Sequence, residues 1–250
     1  MSLFASFSLS ALWDSTQITW ATAFYLLGGV GMTCLLIILA MGLGLVLGSV
    51  MASFQVYGPT WSARLVAVYV WFFRSIPILV LMFMFYLGLS SQADGLILEF
   101  FGVRTRIPAF PVAAAVLGLT SAAYQSQIFR GAMQSIPSGQ FRAAKALGMT
   151  HVGAIKTIIL PQTLRISIPA WSNEYSILLK DSAIAFVIGV SEIMARIKQL
   201  ASTNHQPLLM YILAGILYYL LTWIGVKLLM KLYERFRIPG LAEVDHSGYL

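Results

Sequence analysis

The chain has 250 residues, 59% of them hydrophobic and only 10% charged, with a mean hydropathy of +0.82. That balance excludes an ordinary soluble domain and points to a membrane protein. A net charge of +7 would suggest nucleic acid in a soluble chain, but here basic loops serve to orient the protein in lipid, so a bilayer and no nucleic acid is the expected partner.

In chain order, residues 1–20 lack the basic start of a signal peptide and carry their first charge at Asp14, so no cleavage is expected there. No charge follows between Ser15 and Ala63, enough to span the roughly 30 Å hydrocarbon core with about 20 residues. Five charge-poor stretches are expected to cross as helices, because a spanning backbone must satisfy its own hydrogen bonds. The first covers about residues 24–54 and is rich in glycine, which suits tilt and close helix contact. A second crossing runs over about residues 62–89, with Arg74 and Pro77 inside it, and a third over about residues 108–129. Between them lies a mixed-charge loop, residues 90–106. The fourth, about residues 158–179, is shorter and more polar, and the fifth covers about residues 207–229 before a basic tail, residues 230–250. No internal repeat divides the chain, so residues 1–250 are expected to form one all-α, polytopic domain.

Lys and Arg fall unevenly about these crossings. One face receives Arg64, Arg130, Arg142, Lys145, Lys156, Lys227, Lys231, Arg235 and Arg237, and the other Arg104, Arg106, Arg196 and Lys198. The richer face is expected in the cytoplasm, with the N-terminus outside and the C-terminus inside. Residues 136–156 then form a cytoplasmic loop. Pro137 and Ser138 are helix-start signals, and Phe141, Ala144, Gly148 and His151 recur at helical spacing with Arg142 and Lys145 off that stripe. Small residues Ala143, Ala144 and Gly148 permit close approach of another surface, and Phe141 and Leu147 offer bulky contacts. Two readings follow from the pattern alone: a docking element, or a helix lying on lipid headgroups.

Charges at bilayer depth cost about 2.5–3.5 kcal/mol on insertion scales and so mark pathways or internal pairs. Arg74, Glu174, Lys180 and Asp181 are the candidates. Glu174 and Asp181 are two helical turns apart and share a face of a continuous helix, with Lys180 turned about 100° away; a break near Lys180 would bring all three together. A free amino acid needs a cation for its carboxylate and an acceptor for its ammonium group. Lys180 or Arg74 is expected to supply the first, Glu174 and Asp181 the second, with Ser172 and Asn173 adding hydrogen bonds. An ion-pair network that sets helix register is the other reading.

Other side chains suggest less. Cys34 is the only cysteine, which excludes an intrachain disulfide. His151, His205 and His246 read as ordinary surface groups, and no metal or other cofactor is expected. Trp13, Trp20, Trp61 and Trp171 read as interfacial anchors.

The phrase IFRGAMQSIPSGQFRAAKALGMTHVGAIKTIILPQ resembles the EAA loop of permease subunits in ATP-binding-cassette importers, whose two alanines and following glycine are matched by Ala143, Ala144 and Gly148. FFRSIPILVLMFMFYLG and PAWSNEYSILLKDSAIAFVIGVSEI extend the likeness to the polar amino acid subfamily, the permeases for histidine, arginine, glutamine and glutamate. The resemblance implies a coupling helix, with Gln140, Phe141, Arg142, Ala143, Ala144, Leu147 and Gly148, that sits in a groove of a cytoplasmic ATPase dimer. It also implies a second permease subunit, identical or homologous, and an extracytoplasmic solute-binding protein. Ser172, Asn173 and Glu174 resemble the basic amino acid branch. Two departures stand out: Arg142 replaces the usual glutamate before the alanines, and Gln127 an acidic residue common before IFRG. No P-loop is present, since Gly148 and Gly153 are followed by Ala154 and Ile155, so this chain is expected to be a non-catalytic subunit. A gradient-driven secondary amino acid transporter is the alternative, although that class usually shows repeated halves. A membrane hydrolase would need a serine or aspartate paired with a histidine at membrane depth, and no such pairing is evident.

Overall fold

In the first crossing, glycine and alanine alternate with Leu, Ile and Met without a proline or charge, and the result is one uninterrupted helix, α1, Trp20–Tyr57, of 38 residues. A computed structural model describes residues 20–92, 98–100, 103–105 and 109–236, so the external segment 1–19, most of the loop before the third crossing, and tail residues 237–250 lie outside the described residues. At 1.5 Å per residue α1 is about 57 Å long, nearly twice the hydrocarbon thickness. A helix of that length either tilts strongly or extends beyond the lipid core.

The second crossing is not one rod. It divides into α2, Thr60–Ser75, and α3, Ile78–Gln92, which bend by 102° at the break. Pro77 explains the place: it disfavours the helical region for the preceding residue, and Ile76 is extended at φ −97°, ψ 129°. Arg74 thus sits in the last turn of a helix rather than in mid-span, and its charge is favourably placed near a helix C-terminus. A small antiparallel hairpin, β1 (Leu98–Phe100) and β2 (Val103–Thr105), occupies part of the loop that follows, with Glu99 opposite Arg104.

The third crossing is α4, Ala109–Ser135. It runs against α1 over most of its length, and the close approach has a local cause. Gly44 and Gly48 of α1 face Ser121, Gln125 and Ser126 of α4, and a Cβ at either glycine would meet the side chain of Gln125. This is the small-xxx-small packing that membranes favour. Leu36, Ile37, Ala40, Met41, Val116 and Leu117 are buried along the same seam.

After α4 come two short helices, α5 (Ser138–Ala146) and α6 (His151–Ala154). α5 ends in a Schellman turn: Met149 N donates to Ala144 O at 3.1 Å and Gly148 N to Lys145 O at 3.0 Å. Gly148 takes φ +82° there, and no atom lies within 4 Å of where its Cβ would be. Its backbone conformation, not crowding within the chain, calls for glycine. The expected single stripe from Phe141 to His151 is therefore two helices joined by a reversal.

A π-helical turn, Ile155–Ile159, leads into α7, Leu160–Ile166, and then α8, Ile168–Asp181. Pro161 and Pro169 supply no amide hydrogen, and the widened turn before the first and the interruption at Ser167 before the second relieve the ring clashes that prolines cause inside helices. Beyond Asp181 a 3₁₀ segment, Ser182–Ile188, ends at Gly189 with φ 98°. The fold closes with α9, Ile193–Asn204, and the long α10, Pro207–Phe236, which packs on α8 and α9. By length and apolarity α1 and α10 can each cross a membrane alone, and the bent α2–α3 pair can count as a further span. α4 and α8 are more polar because they carry the site described next.

Candidate functional site

α4 and α8 bring together a chain of buried polar groups. Serine and glutamine in α4 at positions 121 and 125, one turn apart, meet tryptophan and glutamate in α8 at 171 and 174, also one turn apart. Trp171 Nε1 donates to Gln125 Oε1 at 2.8 Å; Gln125 Nε2 donates to Ser121 Oγ at 3.0 Å; Ser121 Oγ donates to Glu174 Oε1 at 2.7 Å. These three hydrogen bonds all run toward the carboxylate, as suits an acceptor-only group. Glu174 is 3% exposed, and Ser121 and Gln125 are fully buried. Gln125 Nε2 also reaches Met41 O of α1 at 3.3 Å, over the space that Gly44 leaves open. Trp171, read from the sequence as an interfacial anchor, is a member of this network instead.

Beside it a cavity of about 330 Å³ is lined by Arg74, Tyr124, Gln127, Ile128, Ala170, Asn173, Glu174 and Ile177. That volume is at the lower end of the about 300–1,000 Å³ common for small-molecule sites. Its two formal charges are of opposite sign. The Arg74 guanidinium lies 4.7 Å from the centre of the Tyr124 ring, a cation–π contact that holds it on the cavity wall. Among the described residues Arg74 is held by Tyr124 and Glu174 by Ser121 rather than by a direct ion pair with each other, and both line the cavity.

Arg74, Asn173 and Glu174 are thus brought to one cavity; Ser172, Lys180 and Asp181 are not. The Ser172 hydroxyl turns back to donate to Pro169 O at 2.7 Å. α8 stays helical through Asp181, so the break that would gather Lys180 with Glu174 comes too late. Lys180 is exposed and Asp181 half-buried, and neither lines the cavity, although Asp181 shares the helix face of Glu174 as continuity requires. Ser121, Tyr124 and Gln125 went unnoticed in the sequence. Their one signal is a run of polar side chains, Thr120, Ser121, Gln125 and Ser126, inside an otherwise apolar crossing.

A second candidate surface lies on α5. Arg142, Ala143, Lys145, Leu147 and Gly148 are exposed, Leu147 to 85%. Ala144 is buried, Gln140 and Phe141 half so. Gln140 Oε1 accepts from Gln162 at 2.7 Å. Phe141 is stacked on Tyr57, centroids 4.8 Å apart, so Leu147 alone offers a bulky outward contact. Arg142 contacts Ser138 Oγ at 3.5 Å within its own helix.

Residues 44–238 match the family described as "Binding-protein-dependent transport system inner membrane component". The chain is 38% identical to the "Probable amino-acid permease protein YxeN" of Bacillus subtilis over 69% of this chain and 73% of that one. It is 30% identical to the "Histidine/lysine/arginine/ornithine transport system permease protein HisM" of Escherichia coli over 84% of this chain and 88% of that one. Among solved structures, one described as an "amino acid ABC transporter with histidines" superposes with a TM-score of 0.71 at 29% identity, covering 85% of this chain and 94% of the other.

Proposed function

Since the chain belongs to the family of inner membrane components of binding-protein-dependent transport systems, we propose that it lines the path of an ATP-driven importer for a basic amino acid. The observation that carries the substrate class is the cavity between α2, α4 and α8, in which Arg74 and Glu174 present unpaired opposite charges beside Asn173. Arg74 takes the α-carboxylate; Asn173 and Glu174 receive ammonium groups. Asp181, seven residues and about 10 Å further along the same helix face, is the next anionic station, with Lys180 beside it. The kinship to permeases named for histidine, lysine, arginine and ornithine supports a cationic side chain. The gradient-driven transporter is set aside by the family match.

In this reading the chain carries no nucleotide chemistry. A solute-binding protein delivers substrate from outside, two permease subunits enclose the path, and a pair of ATPase subunits closes on ATP against the outward face of α5, through Arg142, Ala143, Leu147 and Gly148. The N-terminus then lies outside and the C-terminus in the cytoplasm. The test is uptake into proteoliposomes holding the complex purified from its native membrane with every co-purifying subunit. Arginine, lysine and histidine are expected to be taken up at the expense of ATP and to outcompete glutamine and glutamate; uptake indifferent to side-chain charge would reject the basic assignment.

A further inference from the structure

The cytoplasmic end of α1 is held against α5 by three rings, one from α1 and two from the α5–α6 segment. Tyr57, the last residue of α1, stacks on Phe141 of α5 with centroids 4.8 Å apart and planes at 30°. The His151 ring, at the start of α6, meets Phe141 edge-on at 5.1 Å. His151 Nε2 lies 3.0 Å from Tyr57 O, and a carbonyl can only accept, so Nε2 carries the hydrogen. That bond satisfies one of the four carbonyls that a helix C-terminus leaves without a partner. His151 is therefore no ordinary surface group: it fastens the end of α1 and closes the aromatic stack.

The chain itself joins α5 only to α4 and, through the Schellman turn, to α6. Nothing covalent near it leads to α1, yet α1 also reaches the candidate site, where Met41 O accepts from Gln125 Nε2 at 3.3 Å in the network that ends on Glu174. Met41 and Tyr57 are sixteen residues apart on one unbroken helix, about 24 Å. A rigid rod thus has the coupling surface at one end and the buried network part-way along it. We propose that the Tyr57–Phe141–His151 clasp makes α1 a further lever, alongside α4 and α8, by which movement of α5 reaches the cavity. His151 acts as a positioning residue and touches neither substrate nor nucleotide. The π-helical turn just beyond α6 leaves α7 and α8 a deformable joint with α5, whereas the clasp gives α1 a stiff one.

The inference rests on the reading that α5 meets the ATPase, and the experiment separates the two. In the assembled complex in nanodiscs with its binding protein, ATP hydrolysed per amino acid transported is measured. His151→Ala is expected to raise that ratio by about fivefold with the ATPase still bound. His151→Gln, which keeps a side-chain donor for the Tyr57 carbonyl, is expected to return it to within about twofold of the parent. Tyr57→Leu removes the stacked ring but keeps the carbonyl, and is expected to uncouple as His151→Ala does. An unchanged ratio in both, or a lower yield of complex with normal coupling, overturns the lever; so does a Gln variant as uncoupled as the Ala variant. Should His151→Ala fail to assemble, Tyr57→Leu and His151→Gln decide. Separately, Leu147→Asp is expected to release the ATPase, and an ATPase that stays bound sinks the docking reading whatever the clasp does.

Discussion

Glu174 is held by a donor it does not share with substrate. Ser121 satisfies Oε1 from α4, and Glu174 also lines the cavity. Glu174→Gln keeps an acceptor for Ser121 and nearly the same volume, so it removes charge with little else. Uptake of a basic amino acid is expected to fall at least about thirtyfold in kcat/KM, the smallest loss consistent with removing one partner of a desolvated charge pair, about 2 kcal/mol. A neutral amino acid should be affected much less, and equal losses for both would favour a structural role. Ser121→Ala tests the network from the other side: it strips a buried carboxylate of its donor at about 1–3 kcal/mol, read as lowered thermal stability in detergent that Ser121→Thr largely restores. The charged members of this site were legible because charge in an apolar segment is rare and costly. Ser121, Tyr124 and Gln125 were not, because an uncharged polar residue in a membrane helix is cheap enough to be unremarkable until its partner on another helix is known. The proposed convergence of Lys180 rested on a break whose position differed by only a residue or two, and at 100° per residue that error turns a side chain away from the site.

At the scale of elements, prolines and glycines did most to decide where helices stop. The bend at Pro77 turns one expected crossing into two helices, and the Schellman turn at Gly148 splits one expected stripe. Periodicity revealed the apolar segments, but it registers neither a change of direction nor a reversal, since both preserve the spacing of side chains along the chain. Gly148 allows a sharp test of why the motif needs glycine. If positive φ is the requirement, Gly148→Asn, whose side chain tolerates the left-handed region, is expected to keep coupling near the parent level, and Gly148→Val to lose stability by at least about 1 kcal/mol together with coupling. Equal failure of both would show instead that the ATPase approaches too closely for any side chain. Along α1 the contrast is steric. Gly48→Leu would drive a side chain into Gln125 and Ser126 and is expected to cost about 1–3 kcal/mol. Gly42→Leu, where no atom lies within 4 Å of the added Cβ, is expected to leave the thermal midpoint in detergent unchanged.

The molecule as a whole is unfinished on two sides. Its helices expose large apolar groups such as Phe24, Ile38, Leu208 and Leu228, as suits contact with lipid or another subunit, and α5 with the turn after it exposes Arg142, Lys145 and Leu147. Arg142 is where this chain departs from the EAA pattern, and the geometry makes the departure testable. Among the described residues its side chain reaches Ser138 Oγ, at the long distance of 3.5 Å within its own helix, and no acidic partner. If the glutamate usual at this position makes a charged contact with the ATPase, the Arg142 charge is expected to meet an acidic residue there instead. Arg142→Glu would then place like charges together, and the ATPase is expected to dissociate at least about tenfold faster from the complex in nanodiscs at low salt. The defect should shrink as salt is raised and the exposed pair is screened. Reversing the facing acidic side chain on the ATPase should restore binding with Arg142→Glu and weaken it with the parent chain. A defect insensitive to salt and not rescued by the reversal would mean that Arg142 acts through its shape or within α5, and that the charge match between the two subunits lies elsewhere.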